Sequence, residues 1–300
     1  MKQSYAAVAI IFLWAGAFLP ATISAQSYKD QLNQWYQQRA EQLKAADGWL
    51  NLAGLFWLEE GRNNFGSGDT LKIKFPAGTI PPYAGFFELR GNQVTQYAAP
   101  GVKILINQKE TSTALVFNNE INAAPLSAFG SLRWVIIKRG NKIGIRLRNL
   151  ESAAVKNFKG IDHYPVDDKL VVRAHLEGST LPGSIAITNV LGQVNEQSSP
   201  GKLHFTVAGT AYTLDALEEN NQLFIIFADA TSGETTYPSG RFLLAEKPGA
   251  GGFTTIDFNR AYNPPCAFTE FATCPLPPRQ NILPFAVTAG EKNFGLHEKK

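Results

Sequence analysis

Sulfur is scarce in this chain: two cysteines and one methionine in 300 residues. That excludes a disulfide-dense scaffold and any all-cysteine metal site. Histidine is scarce too, and His163, His175, His204 and His297 are scattered, so no zinc site or His-Glu-x-x-His helix is predicted. There is no phosphate-cradling glycine loop, no Gly-x-Ser-x-Gly nucleophile elbow and no internal repeat. Charge is nearly balanced, with 28 Lys and Arg against 25 Asp and Glu, far from the basic excess of a nucleic-acid footprint. No cofactor, no metal and no nucleic acid are therefore expected.

Long apolar runs are also missing, with one exception at the start. Lys2 precedes the run Ala6 to Leu19, and Pro20 and Ile23-Ser24-Ala25 follow. This is the layout of a secretory signal peptide, residues 1–25, cleaved after Ala25. The run is too short to span a bilayer, so stable membrane insertion after cleavage is not expected. The alternative, an uncleaved anchor, is disfavoured by the small residues where the peptidase acts. A mature periplasmic or secreted chain starting near Gln26 has 27 basic and 25 acidic residues once Lys2 is lost, a net of +2.

What is present points to strands. With 26 glycines, 17 prolines and a single helical pattern, the expected fold is all-β: two packed β-sandwich or barrel-like halves and one N-terminal amphipathic helix. The helix is predicted from Ser27 to Ala46 within segment 26–47, with Leu32, Trp35, Tyr36, Arg39 and Leu43 on one stripe and Gly48 as its stop. Residues 48–150 read as a β-sandwich, with turns at Glu59 to Gly61 and Asn64 to Asp69 and a half-exposed strand through Leu71, Ile73 and Phe75. Residues 155–295 read as a second β domain, with Leu223 to Ala228 at a sheet centre, a turn at Gly233 and a return strand from Thr235 to Leu244. The boundary falls between Leu150 and Lys159.

The strings "GWLNLAGLFWLEEGRNNFGSGD", "KRGNKIGIRLRN", "FADATSGETTYPSGRFL", "DFNRAYNPPCAFTEFATCPLPP" and "TAGEK" resemble the bacterial and archaeal family catalogued as domain of unknown function 1684. They run from Gly48 to Lys292, and the resemblance implies no particular activity. "NNFGSGD" and the strands after it also resemble a forkhead-associated β-sandwich, whose active form binds phosphothreonine. Those binders place an arginine after the glycine and a histidine in the next loop. Here Ser67 follows Gly66 and no histidine lies between Gly78 and Gly85, so only the sandwich is implied.

The densest chemistry lies between Asp257 and Pro278. Five prolines forbid a regular strand, yet Phe258, Tyr262, Phe268 and Phe271 want burial. A buried irregular loop satisfies its backbone with side chains, the ordinary use of Asp257, Asn259, Asn263 and Thr269. Asn263-Pro264-Pro265 is a candidate cis turn. Arg260 and Arg241, which follows the bend Pro238-Ser239-Gly240, each need an anionic partner, either an internal carboxylate or a ligand's acid. Arg146 and Arg148 share one face of their strand, as a solvated pair or as ligand contacts. Cys266 and Cys274 read as a disulfide in an oxidising compartment; a Cys–His163 nucleophile pair is the lesser alternative.

The leading expectation is a cleft in the C-terminal half, formed by the Gly233 turn, the Arg241 bend and the Asp257 to Cys274 loop. There Arg241, Arg260, Tyr237, Asn259, Tyr262 and Asn263, with Arg146 and Arg148, bind a small polar or anionic molecule. The enzymatic alternative is a hydrolase using carboxylates among Asp229, Asp257 and Glu291, with arginines stabilising developing charge. A third reading is a structural or interaction protein in which these groups satisfy one another.

Overall fold

The computed structural model describes residues 25–120 and 124–295. The signal-like segment before Ala25 and His297 lie outside the described residues. Helix α1 (Ala25–Lys44) begins two residues before Ser27 and ends two residues before Ala46. Leu32 and Leu43 are sealed beneath it and Trp35, Tyr36 and Arg39 are half-buried, so the expected stripe is the docking face. Gly48 closes the helix with its N–H on the Ala45 carbonyl at 2.7 Å.

The first half is a two-sheet sandwich. Its strands are β1 (Leu52–Trp57), β2 (Gly61–Gly66), β3 (Ile73–Lys74), β4 (Gly85–Arg90), β5 (Gln93–Ala98) and β6 (Leu105–Ile106). They continue as β7 (Lys109–Glu110), β8 (Thr113–Phe117), β9 (Ser127–Phe129), β10 (Leu132–Arg139) and β11 (Lys142–Asn149). One sheet runs β1-β11-β10-β9-β6-β7 and the other β3-β2-β4-β5-β8. Phe65, Phe75, Phe87 and Trp134 fill the space between them, as alternate inward positions should. The turn expected at Asn64 to Asp69 starts later than the sequence suggests. Asn64 to Gly66 complete β2, because Phe65 is drawn into the core against Phe87, with ring centroids 4.6 Å apart.

The β10–β11 hairpin positions the site. Leu132, Trp134 and Ile136 on β10 and Ile143, Ile145 and Leu147 on β11 point inward, so the intervening residues face outward. Gly140, at φ 56°, supplies the left-handed residue of the tight loop between Arg139 and Lys142.

Asn149 leads through Ser152, whose hydroxyl caps the short helix α2 (Ala153–Asn157) by accepting from Val155 N–H at 3.2 Å. The second half then adds β12 (Val171–Thr188), β13 (Val194–Val207), β14 (Thr210–Glu219), β15 (Gln222–Phe227), β16 (Arg241–Glu246) and β17 (Phe253–Asp257). The sheet order is β16-β15-β14-β13-β12-β17, and its two end strands lie beside each other, giving a nearly closed barrel. Two segments that read as separate strands, Lys169 to Leu176 and Ser184 to Thr188, belong mostly to β12, which is bulged between Gly178 and Gly183. The return strand expected from Thr235 starts only at Arg241. Before it, Glu234, Thr235 and Thr236 all donate to the Thr231 carbonyl and hold a compact turn. Gly240, at φ 85°, makes the anticipated bend, where any Cβ would press on the Phe227 carbonyl.

Candidate functional site

The bend aims Arg241 into the protein and not toward solvent. Its guanidinium is fully buried, donating to Asp229 Oδ2 at 3.0 Å, to the Val287 carbonyl at 2.9 Å and to the Ala289 carbonyl. Burial pushes its pKa down, and Asp229 opposes the shift. Asp229 Oδ1 in turn accepts from Thr231 N–H and hydroxyl and from Val287 N–H, at 2.9, 2.7 and 3.0 Å. This cluster ties the Gly233 turn to residues 287–291, and no solute reaches it. Arg241 and Asp229, expected as ligand contact and catalytic acid, form an internal brace in this structure. Tyr237 beside them is 7% exposed, its hydroxyl pushed up by burial.

Glu291 is likewise enclosed, accepting from Arg39 Nε at 3.1 Å and Asn263 N–H at 2.6 Å. Burial holds its carboxyl above the ordinary range, with Arg39 the main opposing influence. Asp257 accepts from Tyr28 hydroxyl at 2.8 and 2.9 Å and from Asn259 N–H at 3.1 Å, while Arg260 Nε lies 3.3 Å from it without a well-aligned hydrogen bond. Asn259 brackets Asp167, accepting from its N–H and donating to its carbonyl, both at 2.9 Å. Tyr36 hydroxyl donates to the Asn259 carbonyl at 2.5 Å and Arg39 to the Asn263 carbonyl at 2.9 Å. Thus Asp257, Glu291, Asn259 and Asn263, expected as site residues, form the seat of α1 in this structure, while Arg260 stays partly exposed beside Asp257. Tyr28, Tyr36 and Arg39 lie along the helix at spacings of eight and three residues, on the face turned to this loop.

All described peptide bonds are trans, so the Asn263-Pro264-Pro265 turn is not cis. Cys266 and Cys274 are joined in a disulfide with Cα atoms 6.1 Å apart. With both sulfurs in the disulfide, neither is a free nucleophile for His163, whose ring stacks on Tyr36 with centroids 4.1 Å apart.

Two sequence candidates meet elsewhere, in a cleft of about 670 Å³ between the halves. The first half and α1 contribute Arg39, Trp49, Arg139 and Arg146. The barrel contributes Glu218, Glu219, Phe224, Phe242 and Tyr262, and Cys274 brings the disulfide loop to the wall. Tyr262 is anchored beside β16 by reciprocal backbone bonds with Phe242 at 2.8 and 2.9 Å. Its ring carries the Arg39 guanidinium 4.6 Å above it, and burial pushes its hydroxyl up to about 12, so at neutral pH it is a donor.

Of the arginines lining the cleft, Arg146 alone has no hydrogen-bond or ion-pair partner among the described residues. Its Nε is buried without a hydrogen-bond partner, it makes no ion pair among the described residues, and the Trp49 ring lies 5.7 Å from its Cζ. Burial first, then Arg139 and Arg148, push its pKa down to about 10, which still leaves it charged at neutral pH. Arg148, on the same face, is occupied by Asn51 Oδ1 at 2.7 Å and the Gly48 carbonyl. Sequence reasoning missed Arg39, Trp49 and Arg139 for this site. The one available signal was an arginine, Arg39, within the apolar stripe of α1.

Residues 156–292 match the sequence model of the family described as protein of unknown function (DUF1684). The chain belongs to this family. A solved relative, an uncharacterised protein of Haloarcula marismortui studied by solution NMR, is 31% identical over 48% of this chain and 80% of its own, with a TM-score of 0.40. No curated protein matches the chain. Among the described residues, no helix is long and apolar enough to cross a membrane.

Proposed function

We propose that this chain is an extracytoplasmic binding protein that takes a small anionic, hydroxyl-rich molecule into the cleft between its halves. The carrying observation is Arg146: a half-buried guanidinium that, unlike Arg241 and Arg260, whose Nε is also unbonded but which face Asp229 and Asp257, has neither a hydrogen-bond nor an ion-pair partner among the described residues, on the wall of a cleft of about 670 Å³. Leaving a buried donor unbonded is costly, and such a group is most simply explained by a partner that arrives from outside. An acid on the ligand supplies it. Trp49, Phe224, Phe242 and Tyr262 then provide ring faces for the ligand body, and Tyr262 hydroxyl a neutral donor. The disulfide at the cleft wall supports an oxidising compartment.

The hydrolase reading finds less support, because Asp229, Asp257 and Glu291 all serve internal partners. The binding reading is tested by thermal shift with galacturonate, a hydroxyl-rich acid, as the probe. The wild-type protein should gain stability with it, and so should Arg260→Gln. Arg146→Gln should lose about 1.5–3 kcal/mol of binding, more than tenfold in Kd. A shift that survives in Arg146→Gln, or that is missing from the wild type, rejects the reading.

A further inference from the structure

The chain is close to neutral, yet its charge is not evenly laid out. From Leu132 to Asn149 the sequence holds Arg133, Lys138, Arg139, Lys142, Arg146 and Arg148 and no acid at all. Register places four of these as two like-charged pairs: Arg133 is opposite Arg148, and Arg139 is opposite Lys142. Like charges facing each other across strands destabilise a sheet. None of the six makes a salt bridge with a carboxylate among the described residues. Arg133 and Arg139 donate only to nearby carbonyls of their own strand and its turn, and Lys142 lies 5.9 Å from the Trp57 ring.

Arg133 and Arg139 share the face of β10 that turns outward, and Lys142, Arg146 and Arg148 share that of β11. The strip from Arg133 to Arg139 is about 20 Å long at the rise of a strand. Arg139 and Arg146 line the cleft, so the strip runs continuously from the exposed hairpin end to the unpartnered guanidinium. The opposite wall differs. Glu219 is exposed and makes no ion pair among the described residues, and Gln197 lines the same wall, so that side offers hydrogen-bond acceptors.

Building on the cleft reading, we propose that the natural ligand is an acidic glycan, with one sugar acid held at Arg146 and the chain continuing along the β10–β11 strip. A cationic face opposite acceptor side chains requires a ligand bearing both anions and hydroxyl donors on every unit. A uronate chain has both. A DNA backbone has the anions without the hydroxyls and would meet Glu219 unfavourably. Repeated anions along the strip also add avidity with each unit engaged.

The test compares galacturonate, a short oligogalacturonate and a single-stranded oligodeoxynucleotide of matching charge, by calorimetry on the full chain. The oligomer should bind at least about tenfold tighter than the monomer, with a steeper loss of affinity as salt rises. Arg133→Gln with Lys142→Gln, both outside the cleft lining, should erase that gain and leave monomer binding unchanged. Circular dichroism melting verifies that the variant is folded. Equal affinity for monomer and oligomer, or a gain that persists in the double variant, overturns the glycan chain while the cleft reading stands. Tighter binding of the oligodeoxynucleotide overturns the choice of a glycan. Loss of monomer binding in the double variant also overturns it, because the strip and cleft would then be one small site. Failure of both uronates to bind the wild type overturns the two readings together.

Discussion

Arg146 and Arg241 carry the same guanidinium in partly or wholly buried surroundings, and their neighbours separate them. Around Arg241 sit a carboxylate and three backbone carbonyls; around Arg146 sit an indole face, two more arginines and open cleft. The first is paired through both terminal nitrogens, with Nε alone unbonded, and is structural; the second has no hydrogen-bond or ion-pair partner among the described residues and is incomplete. Glu291 gives a residue-scale prediction. Burial raises its carboxyl above the unfolded value, so the folded state keeps the proton to higher pH than the unfolded chain. Between the ordinary glutamate pKa, about 4.3, and the raised one, the folded state binds more protons, and stability falls as pH rises. Above that window the contribution is flat. Urea unfolding across this range should therefore show the wild type losing stability relative to Glu291→Gln as pH rises. A difference that is constant, or that grows in favour of the wild type, contradicts the assignment.

At the scale of elements, the proline-rich loop does two jobs with neighbouring residues. Its first part, Asp257 to Asn263, seats α1 through Tyr28, Tyr36 and Arg39. Its second part, closed by Cys266–Cys274, forms cleft wall. Closing so small a ring contributes about 2–3 kcal/mol, mainly by restricting the unfolded chain. Cys266→Ser with Cys274→Ser should lower unfolding free energy by that amount and weaken galacturonate binding in the same samples. A variant with full stability would show that the loop is held by packing alone. Much of this was legible in sequence: the two cysteines in one loop, the single helix, and the loop's need for side-chain satisfaction. The partner was not. That Asp257 and Asn259 would be met by tyrosines some 230 positions earlier is a consequence of where α1 docks, and the 3.6-residue period of the helix says which face is apolar without saying what it covers.

For the molecule as a whole, the cleft belongs to neither half. Its cationic wall is sandwich and its aromatic wall is barrel, so a ligand spanning it should clamp both. Hydrogen exchange with and without galacturonate should accordingly slow together in β11 and in residues 217–224. Protection confined to one half would mean that the ligand lies on a single surface and not between two. The near-neutral total charge hid this site as well, because it averages an acid-free hairpin with the rest of the chain, and bulk charge reports on partners only when it is spread evenly.

Alternation of apolar residues and the distribution of glycine and proline already determined the strands, the all-β class and the one amphipathic helix, because these depend on local periodicity and local backbone freedom. Composition also fixed which loop was costly to bury. Which arginine would be sealed and which left open was decided only by the tertiary structure. Every arginine can find an acid somewhere in a chain with 25 of them, and the distances that select the pair exist only after two sheets and a helix have come together.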